Sequence, residues 1–392
     1  MEVNLFLAVI IGIAILLFLI LKLRIHAFIA LLIGSIAVGL IAGLDANQII
    51  NTVQKGMGGT LGFVATVVGL GAIFGGVLEA SGGAKTIANF MVSKFGLKRA
   101  PLAMVISGFL IAIPVFFDVA FIILVPMMYA LQRRTGKSLL LYAIPLLAGL
   151  AITHAFIPPT PGPIAVADII GVDLGWVILM GFIAGIPTAL IAGLWFGKHI
   201  SKKIFVAAPE EIEEENHPEL PPIAQTLLII GLPIVLILLN TIIAAGTFGV
   251  TNPIILNIIA LIGHPFSALI IANLLAWYFF GLRKGFTKEQ LLKISTKSLA
   301  PAGTIILLTG AGGVFKQVLT DTGAGELLAT SLSNAGIPIL AFAFISAAIV
   351  RIVQGSSTVA MITAAGLVSP LLASTSLNSI ELACMVIAIA SG

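Results

Sequence analysis

Charge is what this sequence is short of. Only 9% of its residues are Asp, Glu, Lys or Arg, against 59% hydrophobic. A soluble domain carries about 25% charged residues. Too few charges remain to cover a water-facing surface, which excludes a soluble globular enzyme. Cysteine is nearly absent too: Cys384 stands alone, so no internal disulfide framework is possible. There is no basic tract for nucleic acid. The net charge is only +4, and the basic residues sit in short loops, as the positive-inside rule expects of a membrane protein. A signal peptide is not expected either. The first apolar run, 5–21, follows Glu2 rather than a basic region, and no small-residue cleavage site follows it.

What fills the chain instead is apolar sequence of membrane-spanning length, repeated from end to end, with a mean hydropathy of +1.18. An all-α polytopic membrane protein follows. Three segments do not fit a simple span. Segment 100–132 would be about 50 Å long as one helix at 1.5 Å per residue, against a hydrocarbon core of about 30 Å. It has Arg99 at one end and Arg133, Arg134 and Lys137 at the other. Basic residues at both ends predict a re-entrant hairpin with its tip near Pro114–Asp118. Segment 139–170 is broken by "HAFIPPTPGP", whose Pro158, Pro159, Pro161 and Pro163 remove backbone donors. Segment 336–372 is again too long and is interrupted by "RIVQGSST".

An internal repeat explains the recurrence. "GAIFGGVLEASGGAK" (71–85) lies over "GGVFKQVLTDTGAGE" (312–326), with Gly71/Gly312, Phe74/Phe315, Val77/Val318, Leu78/Leu319 and Gly82/Gly323 matched at one constant offset. The first hairpin is flanked by Lys and Arg and the second is not. The first therefore opens to the cytoplasm and the second to the outside. The expected organisation is two inverted-topology repeats, each with a re-entrant helical hairpin and a broken transmembrane helix. The first is 1–203 (hairpin about 100–132) and the second 222–392 (hairpin about 336–372). Such inverted repeats are common in secondary transporters, with the site near the membrane midplane. Between them, 204–221 carries six glutamates and three prolines and reads as an acidic, solvated cytoplasmic linker. The chain ends at "IAIASG", inside an apolar segment, so the second repeat is expected to be incomplete.

Asp118 is the only charged residue between Arg99 and Arg133. A charge at the bilayer centre costs about 2.5–3.5 kcal/mol on insertion scales. Two compatible readings follow. Asp118 caps the second arm of the hairpin, or it carries a proton, desolvation favouring its neutral form. The counterpart tip, "QGSSTVAM", is a run of small hydroxyl residues at a helix start. Its free amides and positive dipole end suit a carboxylate. Gln354, Ser356, Ser357 and Thr358 are candidates to bond ligand hydroxyls, plain capping being the alternative. Arg351 fits a ligand's counter-ion, a partner for an acid such as Asp118, or a snorkelling headgroup contact. His154 fits a proton relay, a substrate contact or a satisfied buried histidine. Lys316, Asp321, Glu79 and Asp168 read as interfacial.

Enzymatic readings find little support. "TGKS" (135–138) lacks the earlier glycine of a phosphate-binding loop, an intramembrane aspartyl protease needs a second carboxylate, and a Ser–His pair conflicts with the repeat. No enzyme activity, metal or cofactor is expected. A channel is the rival from a different class, since paired half-hairpins also line pores.

The stretches "IPVFFDVAFIILVP" (113–126), "THAFIPPTPGPIAVA" (153–167) and "VRIVQGSSTVAMITAAGL" (350–367) closely resemble the gluconate permease (GntP) family of proton symporters. The likeness runs over nearly the whole chain. Members continue past an "SGA" run, where this chain stops at Ser391-Gly392. The resemblance implies uptake of gluconate or a related small hydroxy acid with protons across a bacterial inner (plasma) membrane. Its partners are then the small carboxylate, protons, membrane lipid and a second copy in a homodimer. It further implies a site of Asp118, His154, Thr160, Gln354, Ser356, Ser357 and Thr358. Relatives often carry His where Thr160 stands, which leaves D-serine and glycerate as alternative substrates.

Overall fold

The computed structural model describes residues 2–209, 220–324, 327, 330, 331, 336–354, 356–372 and 375–392. Among them there is no β-strand. In chain order the helices are α1 (Glu2–Leu21), α2 (Ala27–Ile41), α3 (Ala46–Ala80), α4 (Gly83–Phe95), α5 (Ala100–Ile111), α6 (Phe117–Thr135), α7 (Leu140–Phe156), α8 (Pro161–Ile170) and α9 (Leu174–Leu190). A π-helical turn, Ile191–Trp195, leads into α10 (Phe196–Lys203). The rest are α11 (Ile223–Ala244), α12 (Pro253–Gly263), α13 (Pro265–Ala276), α14 (Lys288–Asp321), α15 (Ile339–Gln354), α16 (Ser357–Leu372) and α17 (Ser379–Ser391). Among the described residues, 6 helical stretches are long and apolar enough to cross a membrane. The chain is a multi-pass membrane protein.

The breaks have local causes. Pro161 opens α8 at a position where its missing N–H costs nothing. Asn378 starts α17 with a capping box. Its Oδ1 accepts from the Ile380 and Glu381 amides at 3.0 Å each, while Glu381 Oε2 accepts from the Asn378 amide at 2.8 Å. The segment 253–282, which hydropathy reads as one span, is divided. The His264 ring accepts from the Phe266 amide at 3.3 Å, and Pro265 begins α13. The too-long segments 100–132 and 336–372 each resolve into two helices, Ala100–Ile111 and Phe117–Thr135 in the first, Ile339–Gln354 and Ser357–Leu372 in the second.

The chain forms two compact units. One comprises Met1–Val68, Pro161–Val177 and Pro301–Gly392. In it α16 packs along α8, and α15 packs on α17. The N-terminal part of α3 crosses the C-terminal part of α14 through glycines. A Cβ on Gly56 would lie 2.7 Å from Gly313 O, and one on Gly313 would lie 2.7 Å from Gly56 O. Such small-residue crossings let helices meet where lipid supplies no hydrophobic drive between them.

The other unit comprises Gly69–Thr160 and Ile178–Ala300. Its most extensive helix pair is α5 against α7. A Cβ on Gly108 would lie 2.6 Å from Leu146 O and 3.0 Å from Leu150 N. Reciprocally, one on Gly149 would overlap Val105 O and lie 2.8 Å from Phe109 N. The first unit contains the same device. A Cβ on Gly392 in the segment closing α17 would overlap Phe344 O and lie 2.7 Å from Ala348 N of α15. In both, a glycine sits against a carbonyl and the amide four residues later on the first arm of a hairpin. Of the linker 204–221, residues 210–219 lie outside the described residues. Its two ends are anchored. The Val206 amide and carbonyl bond Ser138 Oγ and the Leu139 amide, while Pro221 O accepts from Thr86 Oγ1 at 3.1 Å.

Candidate substrate and coupling site

The candidate residues fall in two groups, one per unit. Asp118, His154 and Thr160 belong to the unit containing α5–α7. Asp118 lies in the first turn of α6, where an acid complements the helix dipole. It is not the cap. The residue preceding α6 is Phe116, and no side chain caps that end. Among the described residues of its unit the Asp118 carboxylate makes no hydrogen bond or ion pair, and its side chain is exposed on the protein's own surface. It heads an exposed stripe of α6, continued by Ile122 at 69% exposure, while Ala120, Leu124 and Met128 on the other side are buried. The cause is helical phase. With α6 starting at Phe117, positions 118 and 122 fall on the face away from the neighbouring helices.

His154 stands beside that tip. Its ring lies 6.5 Å from both the Phe116 and Phe117 rings. Two residues of the hairpin thus pack on the histidine, and the sequence-predicted pair shares one neighbourhood. Thr160 is buried and its Oγ1 donates to Ile157 O at 2.6 Å, closing the turn between α7 and α8. Its hydroxyl can still accept a bond but has no second proton to give.

Helix α3 brings both irregular segments together. Gly75 lies so close to the hairpin tip that a Cβ there would overlap Pro114 O, and a Cβ on Gly71 would lie 3.3 Å from Pro159 O. Sequence reasoning saw Gly71 only as a repeat marker and gave Gly75 no role. The i, i+4 glycine pair on one helical face was the available signal.

Ser356, Ser357, Thr358 and Arg351 belong to the other unit. Ser356 caps α16. Its Oγ accepts from the Val359 amide at 3.4 Å, so the capping reading holds for this residue. Ser357 and Thr358 occupy the first turn, half-buried, and their hydroxyls make no hydrogen bond among the described residues. Opposite them is α8. A Cβ on Gly162 would overlap Met361 Cε and lie 3.9 Å from Thr358 Oγ1. Arg351 is half-buried near the end of α15, with no partner among the described residues of its unit. The side chain of Gln354 lies outside the described residues.

The same unit gives Lys316 a structural partner. Its Nζ donates to Ile169 O at 2.6 Å, and Ser369 Oγ donates to that same carbonyl at 2.6 Å. Side chains from α14 and α16 thus satisfy a C-terminal carbonyl of α8 that has no helical partner. A hydrogen bond from a charged group is worth about 1.5–3 kcal/mol. Lys316→Met is therefore expected to lower the melting temperature of the detergent-solubilised protein, and Lys316→Arg to retain most of it. Thermal unfolding of the three proteins decides; equal melting would show that the clamp contributes nothing. Asp321, on the same helix, has polar partners. It accepts from Thr52 Oγ1 at 2.8 Å and pairs with Lys55 at 3.8 Å, the lysine being 70% exposed.

Apolar helices of membrane-spanning length, with two over-long segments each divided into a pair of helices, define a multi-pass membrane protein. The fold matches the crystal structure of the Alcanivorax borkumensis YdaH transporter with a TM-score of 0.66, at 12% identity over 93% of this chain and 86% of that one. The GntP family permease model matches residues 4–392, and the chain belongs to that family. It is a permease and not an enzyme. It is 42% identical to the low-affinity gluconate transporter of Escherichia coli, covering 97% of this chain and 85% of that protein. A gluconate permease of Pseudomonas aeruginosa is 40% identical over 90% of this chain and 79% of its own length. One from Bacillus subtilis is 37% identical over 97% and 87%.

Proposed function

We propose that the protein is a proton-coupled secondary transporter that takes up gluconate or a related small hydroxy acid across a bacterial inner membrane, working as a homodimer. The observation that carries the substrate is the likeness to gluconate transporters over nearly the whole chain. The arrangement of side chains supports the chemistry. The start of α16 offers amides and the unbonded hydroxyls of Ser357 and Thr358 to an anionic, hydroxyl-bearing ligand. Arg351 supplies a positive charge on the helix before it. Gln354 is proposed to add an amide contact and Ser356 to set the turn. On the other hairpin, Asp118 is the proton carrier and His154 its relay, while Thr160 accepts a bond from substrate. The shared glycine-against-backbone device at α5–α7 and α15–α17 supports reading the two halves as repeats. Inverted topology and membrane re-entry of the hairpins belong to this reading.

The test is uptake of labelled gluconate into proteoliposomes under an inward proton gradient. Saturable uptake that a protonophore abolishes is expected, with competition by excess unlabelled gluconate. Non-saturating flux would favour a channel. Uptake competed by D-serine or glycerate but not gluconate would reassign the substrate within the family.

A further inference from the structure

Away from both hairpin tips, the α5–α7 unit holds a cavity of about 410 Å3. Three chain segments meet there, and each brings lysine. Lys98 comes from the turn before α5, Lys137 from the turn between α6 and α7, and Lys198 and Lys202 from α10. The last two are four residues apart and share a helix face, an arrangement that is destabilising for like charges. Among the described residues none of the four lysines makes an ion pair, and no carboxylate lines the cavity. All four are exposed, so water and salt screen their mutual repulsion, and an anion among them would be drawn by all four at once.

The frame beneath is rigid. Ser138, 4% exposed, donates from Oγ to Ile204 O at 2.9 Å and accepts from the Val206 amide at 3.2 Å. The Leu139 amide donates to Val206 O at 2.8 Å. These bonds tie the chain leaving α10 to the turn that carries Lys137. Tyr142, 1% exposed, closes the floor with its hydroxyl 2.8 Å from Thr135 Oγ1. Leu97, Pro101 and Leu141 add an apolar wall. A lining that combines several lysines with apolar side chains matches a phosphate attached to an organic moiety. The positive-inside rule puts these lysines on the cytoplasmic side, where basic pockets between helices bind anionic headgroups.

We propose that this cavity is a binding site for a phosphate ester, separate from the transported substrate. Two sources share that chemistry: the headgroup of an anionic phospholipid, or a soluble phosphomonoester in the cytoplasm. Either would offset part of the charge of the four lysines and fasten α10 to the α6–α7 turn.

The experiment uses the full chain and reads binding, so its outcome does not depend on gluconate uptake. In the first arm the protein is placed in nanodiscs of phosphatidylcholine with or without phosphatidylglycerol, and retained lipid is counted by native mass spectrometry. The second arm measures protection of individual lysines from amine acetylation by glucose 6-phosphate, with inorganic sulfate as control. Retention of phosphatidylglycerol, or protection confined to Lys98, Lys137, Lys198 and Lys202, supports the site and identifies the source. A Lys98→Gln, Lys137→Gln, Lys198→Gln, Lys202→Gln variant is expected to weaken retention by about tenfold or more. A variant with Lys22, Lys85, Lys94 and Lys288 changed to Gln is expected to retain lipid normally. Equal loss in both variants, or neither retention nor protection in the unchanged chain, overturns the proposal. Footprinting of the unchanged chain keeps the test valid if the first variant fails to fold.

Discussion

Asp118→Asn is expected to abolish uptake driven by an inward proton gradient while leaving exchange of labelled for unlabelled substrate within a few-fold of the unchanged chain. Asparagine keeps the size and hydrogen-bonding shape of the side chain but cannot take up a proton. The structural role it would remove is small. Asp118 does not cap α6 and accepts no bond within its unit, and only its interaction with the helix dipole is lost. That is worth about 0.3–1 kcal/mol, too little to unfold a hairpin. Net uptake needs a carrier that binds the coupling proton on one side and releases it on the other. Exchange needs only that the loaded protein shuttle. The two assays therefore separate coupling from architecture. Loss of both to the same degree would assign Asp118 to positioning the tip and would move the coupling role to His154, whose ring packs on Phe116 and Phe117.

Much of this architecture was legible because membranes constrain sequences so tightly. An over-long apolar segment must break, and the ends of α5 at Ile111 and of α15 at Gln354 fall where length and small or proline residues place them. The interruption between α7 and α8 was legible because proline removes donors. Other features were hidden for physical reasons. Hydropathy marks where a helix meets lipid, not where it starts, so the polar turns that begin α3 at Ala46 and α14 at Lys288 escaped a reading by apolar runs. The division at His264–Pro265 needs an imidazole acting as a cap, which composition does not reveal. The side to which Asp118 turns depends on helical phase, which its apolar neighbours in sequence do not give. The partner of Lys316, Ile169 O, is remote in the chain. Long-range partners of that kind leave no trace in local composition.

A graded series of glycine replacements along α3 should separate the two irregular segments from the rest of the fold. The largest effect is expected at Gly75. A methyl group there would occupy the position of Pro114 O at the hairpin tip, and backbone cannot rotate away as a flexible side chain can. Either α3 moves or the tip does. Overpacking of this kind costs about 1–3 kcal/mol. If the tip yields, the displacement falls four residues before Asp118, and Gly75→Ala should lower uptake by about tenfold or more. Gly71→Ala should be milder, since its methyl group would lie 3.3 Å from Pro159 O, a distance relieved by a shift of a few tenths of an ångström. Gly58→Ala is the control. Nothing lies within 4 Å of a Cβ there, and alanine favours the helix over glycine by about 1 kcal/mol. It should leave uptake unchanged and raise the melting temperature slightly. Uptake and thermal unfolding measured together read the cause. Lost uptake with near-normal melting for Gly75→Ala would mean that α3 acts as the seat on which the hairpin tip is held in working position. Lost uptake with collapsed melting would make the contact one of folding alone, and undiminished uptake would show that transport does not depend on where this contact sets the tip.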